Sequence, residues 1–126
     1  VQFTFLQTDP LLLLLAPGRH AIQLDWARRL LDAGVNLCVD LFGSPSDHED
    51  NVRLAGLILL IRAGYARQLV IGNDVYQKAL TRAGGGFGYA GMLDFAVPAL
   101  RRHGVSEADI RAVLVDNPAR LLAIAA

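Results

Sequence analysis

An α/β fold built on parallel strands is expected for this 126-residue chain, and three observations point to it. Short apolar runs with little alternation recur along the chain, amphipathic helical segments separate them, and the two central helices both stop at glycine. Parallel strands covered on both faces read as near-continuous apolar stretches. Strand–helix–strand alternation is the pattern of barrels and doubly wound sheets. The length allows one domain, 1–126, or a piece of one.

The first strand is expected at Leu11–Ala16, with residues 1–9 unassigned. A helix follows over Ile22–Ala33, with Ile22, Trp26, Arg29, Leu30 and Ala33 as its inner stripe and Arg28 and Asp32 on its wet side. Asn36–Phe42 makes the second strand. A second helix over Asn51–Ala63 places Val52, Ala55, Ile58, Leu59 and Arg62 inward, capped by Asp50 or Asn51. Gln68–Gly72 is the third strand. Gly34 and Gly64 each follow a helix end, where a left-handed residue releases the chain. Leu30-Leu31-Asp32-Ala33-Gly34 aligns with Leu60-Ile61-Arg62-Ala63-Gly64, an internal αβ repeat with a period near 30 residues.

The tail is helical. Met92–His103 ends at Gly104, and Pro98 should kink that helix or mark its true start. Ser106 caps a second helix, with Asp109 at the capping-box position. Asn117-Pro118 opens a last short one, proline being favoured in a first turn.

Composition narrows the partners. Twelve basic and twelve acidic residues give a net charge of zero, without the basic stripe that nucleic acid or an anionic membrane would need. Hydrophobic residues make up 53% and the mean hydropathy is +0.36. Low net charge with so much apolar surface suits an oligomer or a segment of something larger, and a chain that begins with Val1 suits a processed or partial reading frame. Cys38 is the one cysteine, read as a small buried hydrophobe in a reducing, cytoplasmic compartment. The run Leu11–Leu15 is far short of the roughly 20 residues that span a bilayer, and no basic region precedes it as in a secretory leader.

Asp74 is the leading candidate for chemistry. It closes the apolar run Leu69-Val70-Ile71-Gly72-Asn73-Asp74, and a carboxylate at the end of a buried strand is costly unless something pairs with it or binds it. A long glycine-rich loop follows, Gly84-Gly85-Gly86-Phe87-Gly88-Tyr89. Active sites on parallel α/β sheets are assembled at such strand ends. The alternative is an aspartate capping the next turn. Asp40 could be a second site carboxylate or the partner of a cation on a neighbouring strand. Arg19 and His20 follow the first strand and share the rim of Asp74 if the strands are parallel, though His20 suits a helix start equally well. His48, among Asp47, Glu49 and Asp50, reads as a solvated acidic loop, and His103 as a cation at a helix end. Lys78 and Arg82 either bind an anionic group or are solvated. The glycine run lacks the glycine-lysine-serine/threonine ending of a phosphate-binding loop. No nucleophile elbow, Cys–His pair or HExxH motif is present.

Five motifs then occur in order: Asp40-Leu41-Phe42-Gly43, Arg62-Ala63-Gly64-Tyr65, Ile71-Gly72-Asn73-Asp74-Val75, Gly84-Gly85-Gly86-Phe87-Gly88-Tyr89 and Val115-Asp116-Asn117-Pro118-Ala119-Arg120. Together they resemble the C-terminal part of the phosphotriesterase family of the amidohydrolase superfamily, including its lactonase-like members, over roughly residues 16 to 124. The resemblance implies a TIM (β/α)8 barrel of which this chain holds three βα units, strands 6–8, as a partial barrel. It also implies hydrolysis of a small-molecule ester, a lactone or phosphotriester, by a hydroxide bridging two divalent metals, usually zinc. Asp74 falls on the strand-8 aspartate, which ligates metal and takes the proton from the attacking hydroxide. Phe42, Tyr76, Phe87 and Tyr89 would then line an apolar substrate pocket. The match is incomplete. Ala16 stands where the strand-6 histidine is expected, and the family's HxH pair, bridging lysine and strand-5 histidine belong to strands outside this sequence. One aspartate does not hold a two-metal centre, since catalytic zinc takes about three protein ligands.

Three functional expectations follow. The chain is a fragment or truncated member of a metal-dependent hydrolase, inactive alone. Alternatively it is a non-catalytic half-barrel that self-associates or completes its sheet with an N-terminal half. A third reading is an independent three-stranded α/β unit unrelated to the family.

Overall fold

A computed structural model describes residues 3–6, 19–39, 47–73 and 75–124. Three parallel strands form one sheet in the order β1 (Phe3–Leu6), β2 (Asn36–Val39), β3 (Leu69–Ile71). β1 falls among residues 1–9, to which the sequence reading assigns no element. The strand expected at Leu11–Ala16 lies outside the described residues. Phe3-Thr4-Phe5 carries aromatic and β-branched residues in alternation, a strand signal.

Helix α1 (Arg19–Asp32) joins β1 to β2, and α2 (Asp47–Leu60) leads from β2 toward β3. α2 begins four residues before Asn51, so neither Asp50 nor Asn51 is its cap. Starting at Asp47 puts three acidic residues in the first turn, where the amide dipoles favour negative charge. α1 ends in a Schellman turn. The Gly34 amide donates to the Leu31 carbonyl at 2.9 Å and the Val35 amide to the Leu30 carbonyl at 3.0 Å. Gly34 meets the left-handed geometry this requires with φ 84°. α2 closes through a wide turn, Ile61–Tyr65, broken by Gly64 at φ 97°, and the short helical turn Ala66–Gln68 then feeds β3.

The inner faces of both helices differ from expectation in part: Leu30 packs against the core and Ile58 is buried as expected, and the side chains of Ile22 and Val52 lie outside what is described. In α1 the buried positions are Ala27 and Leu31, while Trp26 is 45% exposed and Arg29 and Ala33 face solvent. In α2 the buried apolar positions are Leu54, Leu57, Ile58 and Leu60, with Ala55 and Leu59 exposed; just past its end Ile61 is buried and Arg62 exposed. The stripe is thus rotated by about one residue. A small residue such as Ala27 lets the backbone approach the sheet closely, where the bulk of Trp26 would hold it away.

Strand register fixes which residues meet the helices. Leu37 stands beside Leu69 and Val39 beside Ile71. Leu37, Val39 and Leu69 join Ala27, Leu31, Leu57, Ala96, Leu100 and Val113 in one apolar core, with Ile71 packed against it. Cys38 and Val70, also in register, are buried but belong to the opposite face, outside that cluster. Fully burying each leucine of this core is worth about 2 kcal/mol.

The tail packs on the same side. α3 (Gly91–Arg102) runs through Pro98 rather than starting there, giving up one intrahelical hydrogen bond. It ends at Gly104 as expected, where the Val105 amide donates to the Leu100 carbonyl at 3.1 Å. α4 (Glu107–Arg111) is capped by the Ser106 hydroxyl, which accepts from the Asp109 amide at 3.1 Å. Instead of stopping, it continues through a π-helical turn, Ala112–Asp116, into α5 (Asn117–Leu122). Pro118 sits in the first turn of α5.

Side-chain donors tie the entry end of β3 to its surroundings. Asn117, 3% exposed, donates from Nδ2 to the carbonyls of Ala66 and Leu69, both at 2.7 Å. Gln68 donates to the carbonyls of Leu31 at 2.8 Å and Val35 at 3.1 Å. Arg120 reaches the Arg67 carbonyl at 2.8 Å and Asn36 Oδ1 at 3.1 Å. The Tyr65 hydroxyl donates to Asp32 at 2.7 Å, a bond that raises the phenol's pKa above its ordinary value. Among the described residues no helix is long and apolar enough to cross a membrane.

Candidate active site at the strand ends

β3 ends at Ile71, yet its pairing extends one residue further, the Gly72 amide donating to the Val39 carbonyl at 3.0 Å. Asn73 comes next. Its Nδ2 donates to the Gly88 carbonyl at 3.1 Å and to the Tyr89 carbonyl at 3.0 Å. Both partners only accept, so the amide nitrogen, not its oxygen, must face them. Sequence reasoning gave Asn73 no role. The available signal was an amide immediately before the candidate carboxylate and eleven residues ahead of a glycine run.

Asp74, Asp40 and Phe42 lie outside the described residues. Arg19 and His20 open α1, and their side chains are likewise outside what is described. His103 is exposed at the end of α3, where its carbonyl accepts from Arg62 at 2.9 Å. His48 falls in the first turn of α2, not in a loop.

The segment after Asp74 folds on itself through two short helical turns, Lys78–Leu80 and Arg82–Gly84. Thr81 organises it. Its hydroxyl donates to the Lys78 carbonyl at 2.7 Å, and its carbonyl accepts from the Gly84 and Gly86 amides at 3.0 and 2.9 Å. The Gly88 amide bonds back to the Leu80 carbonyl at 2.9 Å. A Cβ at Gly86 would stand 2.4 Å from the Leu80 carbonyl oxygen, and one at Gly84 2.0 Å from that of Lys78. Gly84 and Gly86 are therefore required by close backbone contact within the loop, and Gly85 by its positive φ of 91°.

Arg82 is exposed, as one of its two sequence readings has it, but it is not loose. It pairs with Asp94 in the first turn of α3, and its Nε donates to the Phe87 carbonyl at 3.3 Å. Lys78 is exposed. Tyr76, Phe87 and Tyr89 are 72%, 44% and 69% exposed, so these three aromatics present their rings outward from a loop whose backbone is held down. Among the described residues no three His, Cys, Asp or Glu side chains come together to hold a metal ion. These residues therefore do not by themselves form a metal centre, and Cys38 is buried in β2 rather than at the rim.

Comparison with known proteins gives this arrangement a context. The model of the phosphotriesterase family matches residues 17–122. An N-acetyltaurine hydrolase from Dictyostelium discoideum is 34% identical over 108 residues, which cover 75% of this chain and 29% of that protein. The phosphotriesterase homology protein of Escherichia coli is 31% identical over 97 residues, 77% of this chain and 33% of its own. Its crystal structure, with phosphate in the active site, superposes with a TM-score of 0.71. An organophosphorus hydrolase from Deinococcus radiodurans superposes with a TM-score of 0.64 at 27% identity, over 79% of this chain and 34% of that one. The chain thus spans about a third of the length of these relatives. Family members are generally metal-dependent hydrolases. A family model covering most of the sequence, together with relatives that share its parallel α/β arrangement, establishes that this chain belongs to the phosphotriesterase family.

Proposed function

We propose that the chain supplies strands 6–8 of a (β/α)8 barrel to a cytoplasmic hydrolase of small-molecule esters, lactones or phosphotriesters, and that Asp74 is the residue it contributes to catalysis. The observation that carries this reading is the parity of β2 and β3. Leu37, Val39, Leu69 and Ile71 serve the helix-facing core, while Cys38 and Val70 belong to the opposite face. By sequence, Asp40 follows β2 directly and Asp74 comes three residues after β3, and both share the parity of Cys38 and Val70, the phase that would face the inside of a barrel. Two carboxylates at the outgoing ends of adjacent parallel strands are where barrel enzymes keep their chemistry.

In this reading Asp74 accepts the proton of the attacking water and is the one ligand for a divalent metal such as zinc that the segment offers. In the same reading the remaining ligands are supplied by a complementing N-terminal half, without which the chain is inert. Tyr76, Phe87, Tyr89 and Phe42 form the apolar wall against the substrate. A second bond class, an N-acyl amide, is favoured by the 34% identity to an N-acetyltaurine hydrolase.

The test is turnover of a lactone, an aryl phosphotriester and an N-acetyl amide, with metal content measured, by the chain alone and joined to an N-terminal half. Complementation should restore hydrolysis, and Asp74→Asn should lower it about a thousandfold, as expected for loss of a positioned proton acceptor. Full turnover by the variant would reject Asp74's role. The competing reading, a non-catalytic half-barrel that pairs with itself, is favoured by the position of β1 and β3 at the two edges of the sheet. It would show as a stable dimer that no N-terminal half displaces.

A further inference from the structure

We propose that Asn73 is a positioning residue that straps the glycine-rich loop to the end of β3, so that the loop's aromatic residues are carried by the same strand end that leads into Asp74. Three consecutive carbonyls, those of Phe87, Gly88 and Tyr89, each accept a side-chain donor: Arg82 Nε for the first and Asn73 Nδ2 for the other two. Carbonyls outside helix and sheet need such partners when water is excluded. Gly88 is buried, whereas Phe87 and Tyr89 on either side of it are exposed. The strap therefore acts on backbone and leaves both rings free to meet a ligand.

Its two anchors differ in kind. Arg82 belongs to the loop itself and holds on to Asp94 of α3, so it fastens the loop to a helix. Asn73 is the described residue that links the loop's 88–89 segment to the sheet by side-chain hydrogen bonds. Leucine at this position has nearly the same shape and donates nothing. Glutamine keeps the NH2 group on a stem one carbon longer.

Hydrogen exchange in the full chain tests the strap. Asn73→Leu should speed exchange of the Gly88 and Gly91 amides about thirtyfold, the effect of losing two bonds of ordinary net strength. The Gly72 and Val105 amides, bonded to Val39 and Leu100, should keep their rates, and Asn73→Gln should recover part of the protection at Gly88 and Gly91. Unchanged loop exchange, or an equal rise over the whole chain, would overturn the proposal. Should Asn73→Leu fail to fold, the native chain answers directly through couplings across the hydrogen bonds from Asn73 Nδ2 to the Gly88 and Tyr89 carbonyl carbons. Their absence overturns it as well.

The link to Tyr89 as a substrate contact rests on the hydrolase reading, and a kinetic split checks it. In an assembly that turns over an aryl ester, Asn73→Leu should raise KM about tenfold with kcat within about twofold, since only the ring's placement is disturbed. Altered exchange without any turnover rejects the hydrolase reading and leaves the strap standing. Turnover with unaltered exchange does the reverse.

Discussion

The two ends of β3 are secured by the same chemical device for opposite purposes. At the entry end, Asn117 and Arg120 donate to backbone carbonyls of the turn and strand and Gln68 to those of Leu31 and Val35 at the end of α1, and Asn117 is nearly inaccessible to water. At the exit end, Asn73 does likewise to Gly88 and Tyr89, but the segment it holds is surrounded by exposed aromatic rings. Buried amides at the entry end fasten a helix to the sheet. The exit-end amide fastens a loop while keeping its side chains available. Barrel folds in general divide labour this way, stability below and reactivity above.

Substitutions should expose that division, beginning with the largest effect. Asn117→Ala leaves the Ala66 and Leu69 carbonyls without a buried donor and should cost about 3 kcal/mol, read as a lower urea midpoint with unchanged slope. A loss under about 1 kcal/mol would mean that water takes the place of the amide and that the entry end is less dry than it looks. Gly86→Ala drives a methyl group into the Leu80 carbonyl and should cost about 2 kcal/mol as overpacking. Its effect should be confined to exchange of the amides in 80–91 while the core stays protected; spread to the Leu37 and Leu69 amides would join the two ends into one unit.

Smaller still is the ion pair of Arg82 and Asp94, whose side chains are 65% and 63% exposed. Arg82→Gln should cost about 0.5 kcal/mol, and the difference should shrink in 1 M salt, where the Debye length is about 3 Å. A salt-independent loss would assign the effect to the Phe87 carbonyl bond instead. Least of all, Glu107 accepts two bonds from Arg101 at 2.6 and 2.9 Å, which hold its carboxyl below the usual glutamate range. A depressed pKa contributes stability that is present above the unfolded value and lost as pH falls through the folded one. The wild-type advantage over Arg101→Gln in thermal midpoint should therefore be constant at neutral pH and fade under acid. A difference that persisted after Glu107 is protonated would refute the pair.

Much of the architecture was legible because it is local. Gly34, Gly64 and Gly104 each end a helical segment with positive φ as expected, and Ser106 caps α4, since these depend on a handful of neighbouring residues. β2 and β3 were legible as apolar runs. Helix faces were not: Trp26, Ala55 and Leu59 look like core by size or spacing, but the sheet's closeness selected Ala27, Leu54 and Leu57 instead. β1 was not legible, since four residues of alternation are a weak signal.

The candidate site was legible in type but not in its supports. Asp74 and the glycine run announce a strand end and a loop. The bond from Asn73 to a carbonyl sixteen residues away, and that from Arg82 to Asp94, depend on how the loop folds back. The motif Asn117-Pro118-Ala119-Arg120 was legible as a signature alone. Its physical content, two donors aimed at the entry to β3, required coordinates.

The wide turn at Ala112–Asp116 bears on how the sequence can change over time. Such a turn is an α-helix with one residue too many, and the surplus sets the phase of everything after it. Losing one residue there would restore ordinary winding and leave Asn117 facing β3, whereas the same deletion inside α3 would swing every later side chain by about 100°. Descendants of this chain can shorten at that spot without surrendering the amide that closes the floor of the sheet.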